Sequence, residues 1–205
     1  MIVIALQNAY FVNRPAVKIV LAMRSRTFKP PPLCGRKCNS TVKTLLAMRH
    51  AQADLPSHAS SDHERPLTER GTRDVVRAAT FLRQRGTVPE RASASSAMRA
   101  RQTALSIREY LGMAADEIDI EESLYLASPA TLIEHIQHTP NRVNTLLIVA
   151  HNPGIEELIY LLSNATVALP PAGLVTISFD TPRWTAITPA QGQLTHFFTP
   201  HIDTN

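Results

Sequence analysis

From residue 44 onward, short apolar runs alternate with helical repeats. Residues 44–48 (TLLAM) form the kind of run a buried strand needs. Across residues 68–85, Val75, Ala78, Ala79 and Leu82 recur at i, i+3, i+4 and i+7, one face of a helix, and Gly86 is a fitting stop. Residues 91–95 read as a second, weaker strand. A helix over 97–111 follows, with Ala97, Ala100, Ala104 and Leu111 on one face. Ser128-Pro129 opens another helix, serine as cap and proline in the first turn. Residues 145–150 (TLLIVA) are the clearest strand, and the helix begun by Asn152-Pro153 presents Ile155, Leu158, Ile159 and Leu162. Beyond Pro170-Pro171, three runs at 173–179, 183–188 and 193–198 read as edge strands. Strand and helix in alternation predict an α/β fold with three layers, α/β/α, around a mainly parallel sheet with antiparallel edge strands.

Composition narrows the chemistry. The chain has 205 residues, 44% of them apolar, enough for a real core. Its 7 glycines are too scattered for either Gly-rich nucleotide cradle, and no G-x-S-x-G elbow is present. The net charge of +4 is uneven. Residues 1–43 hold 8 Lys and Arg and no acid, whereas residues 44–205 hold 13 Arg, no Lys and 17 acids. The body therefore has no basic excess, and a nucleic-acid partner is not expected.

The front, residues 1–42, reads as a basic tail or an over-called start, followed by one domain over 43–200. Lys29-Pro30-Pro31-Pro32 and Cys34-Gly35-Arg36-Lys37-Cys38 have the composition of a linker. Its apolar pieces, residues 2–6 and 16–23, fall far short of the roughly 20 residues of a membrane span. Two cysteines make no disulfide framework, and they read as free thiols in a reducing, cytoplasmic setting. The alternative is a transit peptide to an organelle, which an acid-poor, Arg-containing front also resembles.

Three places share one layout. Arg49-His50 follows the first strand, Arg99 lies in the first turn of the helix after the second, and His151 follows the 145–150 strand. Carboxyl ends of parallel strands open on one crevice, where ligands bind. Singly, each residue has an ordinary account as a loop histidine or a solvated arginine. Together they converge, and the nearby helix starts add N–H groups and positive dipole ends. Forked guanidinium groups suit a phosphoryl group.

The motifs around these residues resemble a family. Arg49-His50-Ala51 is similar to the Arg-His-Gly signature of the histidine phosphatase (phosphoglycerate mutase-like) superfamily. Asp62-His63-Glu64-Arg65-Pro66-Leu67-Thr68-Glu69-Arg70-Gly71 resembles the D-x-x-R-P-L-T-x-x-G run of its SixA-type phosphohistidine phosphatases. Ser95 to Thr103 resembles the S-x-x-x-R-x-x-Q-T segment, and Val149-Ala150-His151-Asn152-Pro153 the second histidine segment. The resemblance spans about residues 43–200 and implies a phosphoglycerate mutase-like fold. It implies that His50 is the nucleophile that becomes phosphorylated, and that Arg49, Arg99 and His151 bind the phosphoryl oxygens. Arg65 reaches the pocket or packs the loop over the helix start. Ala51 stands where the signature has glycine and asks only for a backbone open to any residue.

No metal or other cofactor enters this scheme. His58, Asp62 and His63 read as a solvated loop, and His135 and His138 as a helix face. Esters need an acid to protonate the leaving oxygen. Glu122 is the candidate, but it reads as a surface charge beside a strand. The expected activity is therefore a phosphatase acting on phosphohistidine in a protein of a signalling relay. The alternatives are a small-molecule phosphomonoesterase for sugar phosphates or nucleotides, and a phospho-ligand binding module without turnover.

Overall fold

The structure, a computed structural model, describes residues 42–200. The basic front segment, Cys34 and Cys38 included, lies outside them apart from Val42. Strand β1 (Val42–Arg49) is followed by α1 (Glu69–Gln84), β2 (Arg91–Ser95), α2 (Met98–Leu111), β3 (Ile118–Glu121), α3 (Pro129–Gln137), β4 (Thr145–Ala150), α4 (Gly154–Ser163), β5 (Leu174–Asp180) and β6 (Gln193–Phe198). The six strands form one sheet in the order β3-β2-β4-β1-β5-β6. β3, β2, β4 and β1 are parallel, and β5 and β6 are antiparallel.

β1 and β4 lie at the centre, and their apolar runs are buried on both faces. Leu45 and Ala47 point to a cluster with Leu132, Ile136, Leu158 and Leu162 of α3 and α4. Leu46 and Met48 point the other way, to Val75, Ala78 and Leu82 of α1 and Ala100 and Ala104 of α2. Period-two strand geometry thus makes one sequence run serve both helical layers. β2 carries no large apolar residue, which is why its signal is weak. Its Ala92 and Ala94 are buried against the alanine face of α2, where small side chains allow close approach.

The cap read at Ser128 is made, its Oγ accepting from Thr131 N at 3.2 Å, and Thr68 Oγ1 caps α1 in the same way, accepting from Gly71 N at 2.9 Å. Gly86 and Gly112 follow α1 and α2 with φ of 64° and 74°, the left-handed region that ends helices.

Two expectations change. Residues 183–188 are not a strand: Trp184–Ala186 forms a 3-10 turn, because Trp184 and Ile187 are buried in the α3–α4 side of the core. The Trp184 indole N–H donates to Val143 O at 2.8 Å, fixing the turn. β5 is not an edge either. It lies between β1 and β6, so the edges are β6 and the four-residue β3. Among the described residues, no helix is long and apolar enough to cross a membrane.

Candidate active site

Because β1, β2 and β4 are parallel, their carboxyl ends share one rim, and the site is built there. Arg49 ends β1 and His50 follows it; Ser95 ends β2 and Arg99 lies in the first turn of α2; His151 follows β4. The four expected groups do come together. The His50 and His151 rings are 4.9 Å apart between centroids, and Arg99 contacts both.

His50 is held in one tautomer. Its Nδ1 lies 2.8 Å from the carbonyl oxygen of Ala51. That oxygen can only accept, so Nδ1 carries the proton and Nε2 the lone pair. Nε2 accepts from Arg99 Nε at 3.2 Å. Burial is the main cause of a His50 pKa pushed down to about 4; the bond to Ala51 opposes it, and the charges of Arg99, Arg49 and Arg65 add to it. Ala51 is fully buried, its φ is not among the positive ones, and its N–H donates to Thr103 Oγ1 at 3.1 Å. The loss of glycine there is without conformational cost.

His151 is 3% exposed. Arg99 Nη2 donates to its Nδ1 at 3.4 Å, which leaves Nε2 to donate to Ser95 Oγ at 2.8 Å. Its pKa is pushed down to about 3, by burial first and then by His50 and Arg99. Both rings are therefore neutral at ordinary pH.

The two arginines are held differently. Arg99 is 4% exposed, and donates from Nη1 to Asp62 O at 2.6 Å and from Nη2 to Asp62 Oδ2 at 2.9 Å. The Asp62 carboxylate also accepts from Arg65 Nη1 at 2.8 Å and from the Tyr125 hydroxyl at 3.0 Å. The Arg65 bond is the largest cause of an Asp62 pKa pushed down to about 2. Arg49 donates from Nη1 to Leu169 O at 3.0 Å, and its buried Nε has no hydrogen-bond partner. Burial lowers its pKa and the nearby Glu156 charge raises it.

Of the two roles expected of Arg65, its hydrogen bonds show the structural one. It braces the loop, donating from Nε to Asp54 O at 2.7 Å, and orients Asp62, but its hydrogen bonds go to neither histidine. Asp62 and His63 do lie in a loop, Asp62 exposed and His63 half-buried, but both are also bonded into the site. A buried guanidinium needs a counter-charge, and Asp62 supplies it. His63 Nε2 lies 2.8 Å from Ser96 Oγ, and its ring meets the Tyr125 ring edge-on at 5.0 Å. Tyr125 in turn meets His151 edge-on at 5.5 Å. Sequence reasoning missed Tyr125 and Ser95 as parts of the site. The signal for Asp62 was present as the first residue of the D-x-x-R run. Glu122 is exposed, 3.8 Å from His63 Nε2. Gln102 and Thr103 act on the backbone: Gln102 Oε1 accepts from Leu67 N at 2.7 Å, and Thr103 ties α2 to Ala51. Among the described residues, no three His, Cys, Asp or Glu side chains are grouped to hold a metal ion.

Comparison with known proteins gives this arrangement its family. The histidine phosphatase superfamily (branch 1) model matches residues 45–125. An uncharacterised Mycobacterium tuberculosis protein is 36% identical over 121 residues, 57% of this chain and 70% of that protein. A solved structure described as SixA from Nakamurella multipartitia aligns with a TM-score of 0.67 and 25% identity, covering 78% of this chain and 96% of that one. A protein histidine phosphatase SixA complexed with tungstate has the same fold, with a TM-score of 0.67 at 22% identity over 77% of this chain and 97% of that one. The chain belongs to the histidine phosphatase superfamily, in its SixA-type branch, and is an enzyme of the phosphatase class.

Proposed function

We propose that this phosphatase works through a phosphoryl group carried on His50, and that its substrate is phosphohistidine in a protein. The observation that carries the first half is the His50 ring. Nδ1–H is tied to the Ala51 carbonyl, and the Nε2 lone pair faces Arg99. A neutral imidazole held this way can attack phosphorus once the arriving phosphoryl oxygens take over the Arg99 donor, and its low pKa keeps it neutral.

In the first step Nε2 forms a bond to phosphorus while the bond from phosphorus to the leaving nitrogen breaks, its electron pair going to that nitrogen. Arg99 and Arg49 stabilise the charge spread over the phosphoryl oxygens, as phosphoryl transfer requires. His151 stays neutral and, by accepting at Nδ1 from Arg99 Nη2, holds the Arg99 fork in place for those oxygens. Water displaces His50 in the second step and releases phosphate.

The substrate class rests on the missing acid. Asp62 is committed to Arg65, Arg99 and Tyr125 and stays ionised, so it has no proton to give. His50 and His151 are neutral. A phosphoramidate needs no such donor, because the departing imidazole takes a proton at its other nitrogen. The test is phosphate release from a phosphohistidine protein, together with an acid-labile label on His50 that His50→Ala lacks. Turnover of small esters with no release from any phosphohistidine protein overturns the substrate assignment.

One observation favours a second reading, a small-molecule phosphomonoesterase. His63 stands near the site with Glu64 Oε1 3.3 Å from Nδ1 and Glu122 Oε2 3.8 Å from Nε2. A histidine between two carboxylates is a candidate proton donor for an alkoxide. On that reading His63→Ala slows alkyl phosphates strongly and leaves p-nitrophenyl phosphate, whose leaving group needs no proton, unaffected.

A further inference from the structure

The loop between α4 and β5 meets the Arg49-His50 pair at three points. Gly173 O accepts from Arg49 N at 3.1 Å, Ala172 N donates to His50 O at 3.1 Å, and Leu169 O accepts from Arg49 Nη1 at 3.0 Å. The first two contacts are main-chain bonds that any sequence makes. The third depends on where one carbonyl is aimed, and two side chains of the α4 start aim it. Glu156, in the first turn of α4, accepts at Oε1 from Leu169 N at 2.6 Å and from Asn152 Nδ2 at 2.8 Å. Asn152 Nδ2 also donates to Leu169 O at 3.2 Å. The Leu169 peptide is thus gripped at its N–H and at its carbonyl by neighbouring groups, and Leu169 itself is 2% exposed.

We propose that Glu156 is a positioning residue of the anion site: through Leu169 and Asn152 it fixes the direction of the Arg49 guanidinium. Nothing else among the described hydrogen bonds orients that guanidinium, since Nη1 to Leu169 O is its one side-chain bond and Nε is buried without a partner. A guanidinium held by one neutral carbonyl keeps its other donors for an incoming oxyanion. The fork must still point the right way, because bidentate recognition is directional. Glu156 itself makes no hydrogen bond to either site histidine, so it acts through Arg49. The proposal rests on the reading of Arg49 as a phosphoryl ligand.

The test measures tungstate binding by titration calorimetry rather than turnover, so its outcome is independent of the substrate assignment. Six proteins are compared: wild type, Glu156→Ala, Glu156→Gln, Arg49→Ala and the double variants Arg49→Ala/Glu156→Ala and Arg49→Ala/Glu156→Gln. Glu156→Ala is expected to weaken tungstate about tenfold, the size of one charge-assisted hydrogen bond lost. Glu156→Gln keeps an oxygen that accepts from both N–H groups and is expected to restore most of the affinity. In the Arg49→Ala background, Glu156→Ala is expected to cost less than about twofold more, because residues acting as one unit are not additive. An equal loss in both backgrounds, or no loss in Glu156→Ala, overturns the proposal. If Glu156→Ala fails to fold, the Gln variant carries the cycle: affinity near wild type supports a grip made by hydrogen bonds, and a tenfold loss in both backgrounds overturns it. Tungstate binding by Arg49→Ala equal to wild type removes Arg49 as an anion ligand, and the proposal falls with that reading.

Discussion

Arg99 and Arg49 both flank His50, yet one is hydrogen-bonded to a carboxylate and the other is not. Arg99 is almost fully buried and spends its guanidinium on Asp62, His50 and His151. Asp62 is in turn fixed by Arg65 and Tyr125. Arg49 meets a single neutral carbonyl and keeps a buried Nε unpaired. The Arg99 half is a rigid frame that sets the histidines and cancels its own charge. The Arg49 half keeps more of its donors free for a ligand. A site made only of frames would attract no anion, and one made only of free cations would not hold its geometry. On the proposed mechanism both arginines meet the phosphoryl oxygens, and the division gives Arg99 the further task of orienting the histidines.

The largest expected effect separates these roles. Arg99→Ala removes a hydrogen bond to each histidine and strands Asp62, so kcat/KM on a phosphohistidine protein is expected to fall by more than about a hundredfold. Arg99→Lys is not expected to rescue it, because an ammonium cannot reach three partners in fixed directions. Arg49→Ala is expected to cost about tenfold, and more through KM than kcat. Steady-state kinetics of the three variants checks this, and a larger loss from Arg49→Ala than from Arg99→Ala breaks the comparison.

The next effect comes from the loop that carries Asp62 and Arg65. A Cβ on Gly71 would lie 2.2 Å from the backbone oxygen of Gln52, two residues past His50. No flexible side chain is there to yield, so α1 or the post-His50 segment must move. Gly71→Ala is expected to destabilise by about 1–3 kcal/mol, as overpacking does, and to lower activity beyond the lost stability. Chemical denaturation with activity measured under folded conditions separates the two.

How far this site was legible in the sequence follows from how its contacts are spaced. His50, Arg99 and His151 each sit beside a strand end or helix start, so a local pattern and the rule for parallel sheets were enough to bring them together. Asp62 and Tyr125 sit in loops, and their partners are far along the chain. Only the resemblance marked Asp62, and nothing marked Tyr125. The fold shows the same division. The apolar runs of β1 and β4 announce themselves, whereas β2 is built from serine and alanine because α2 packs close over it. Residues 183–188 have the alternation of a strand, but Trp184 has a core to fill and a carbonyl to bond, and tertiary burial decided the outcome.

The acid limb of the pH profile gives a smaller, graded test. An ordinary histidine, with a pKa near 6.5, is about 3% neutral at pH 5. His50 at about 4 stays mostly neutral there. kcat/KM is therefore expected to fall less than about twofold between pH 7 and pH 5, where an unperturbed nucleophile would lose about twenty-five-fold. Stability falls in the same direction as activity, and further. His50 and His151 resist protonation when folded, so the unfolded chain binds more protons as pH falls below about 6.5, and stability declines toward pH 4. Asp62 has the same sign but acts lower, its contribution present above the usual carboxylate range and lost as pH falls through about 2. Urea midpoints at pH 7, 6 and 5 check the histidine part.

The smallest effect concerns Glu122, which stands outside both arginine halves. Its side chain is 77% exposed, and it approaches His63 Nε2 only to 3.8 Å. An exposed pair at that distance is worth about 0–1 kcal/mol. Glu122→Gln is therefore expected to leave both phosphohistidine and ester hydrolysis within about twofold of wild type. A loss confined to esters, and growing with the pKa of the leaving alcohol, would make Glu122 with His63 a working proton donor. The site would then have a third half, and the argument from a missing acid to phosphohistidine would lose its footing.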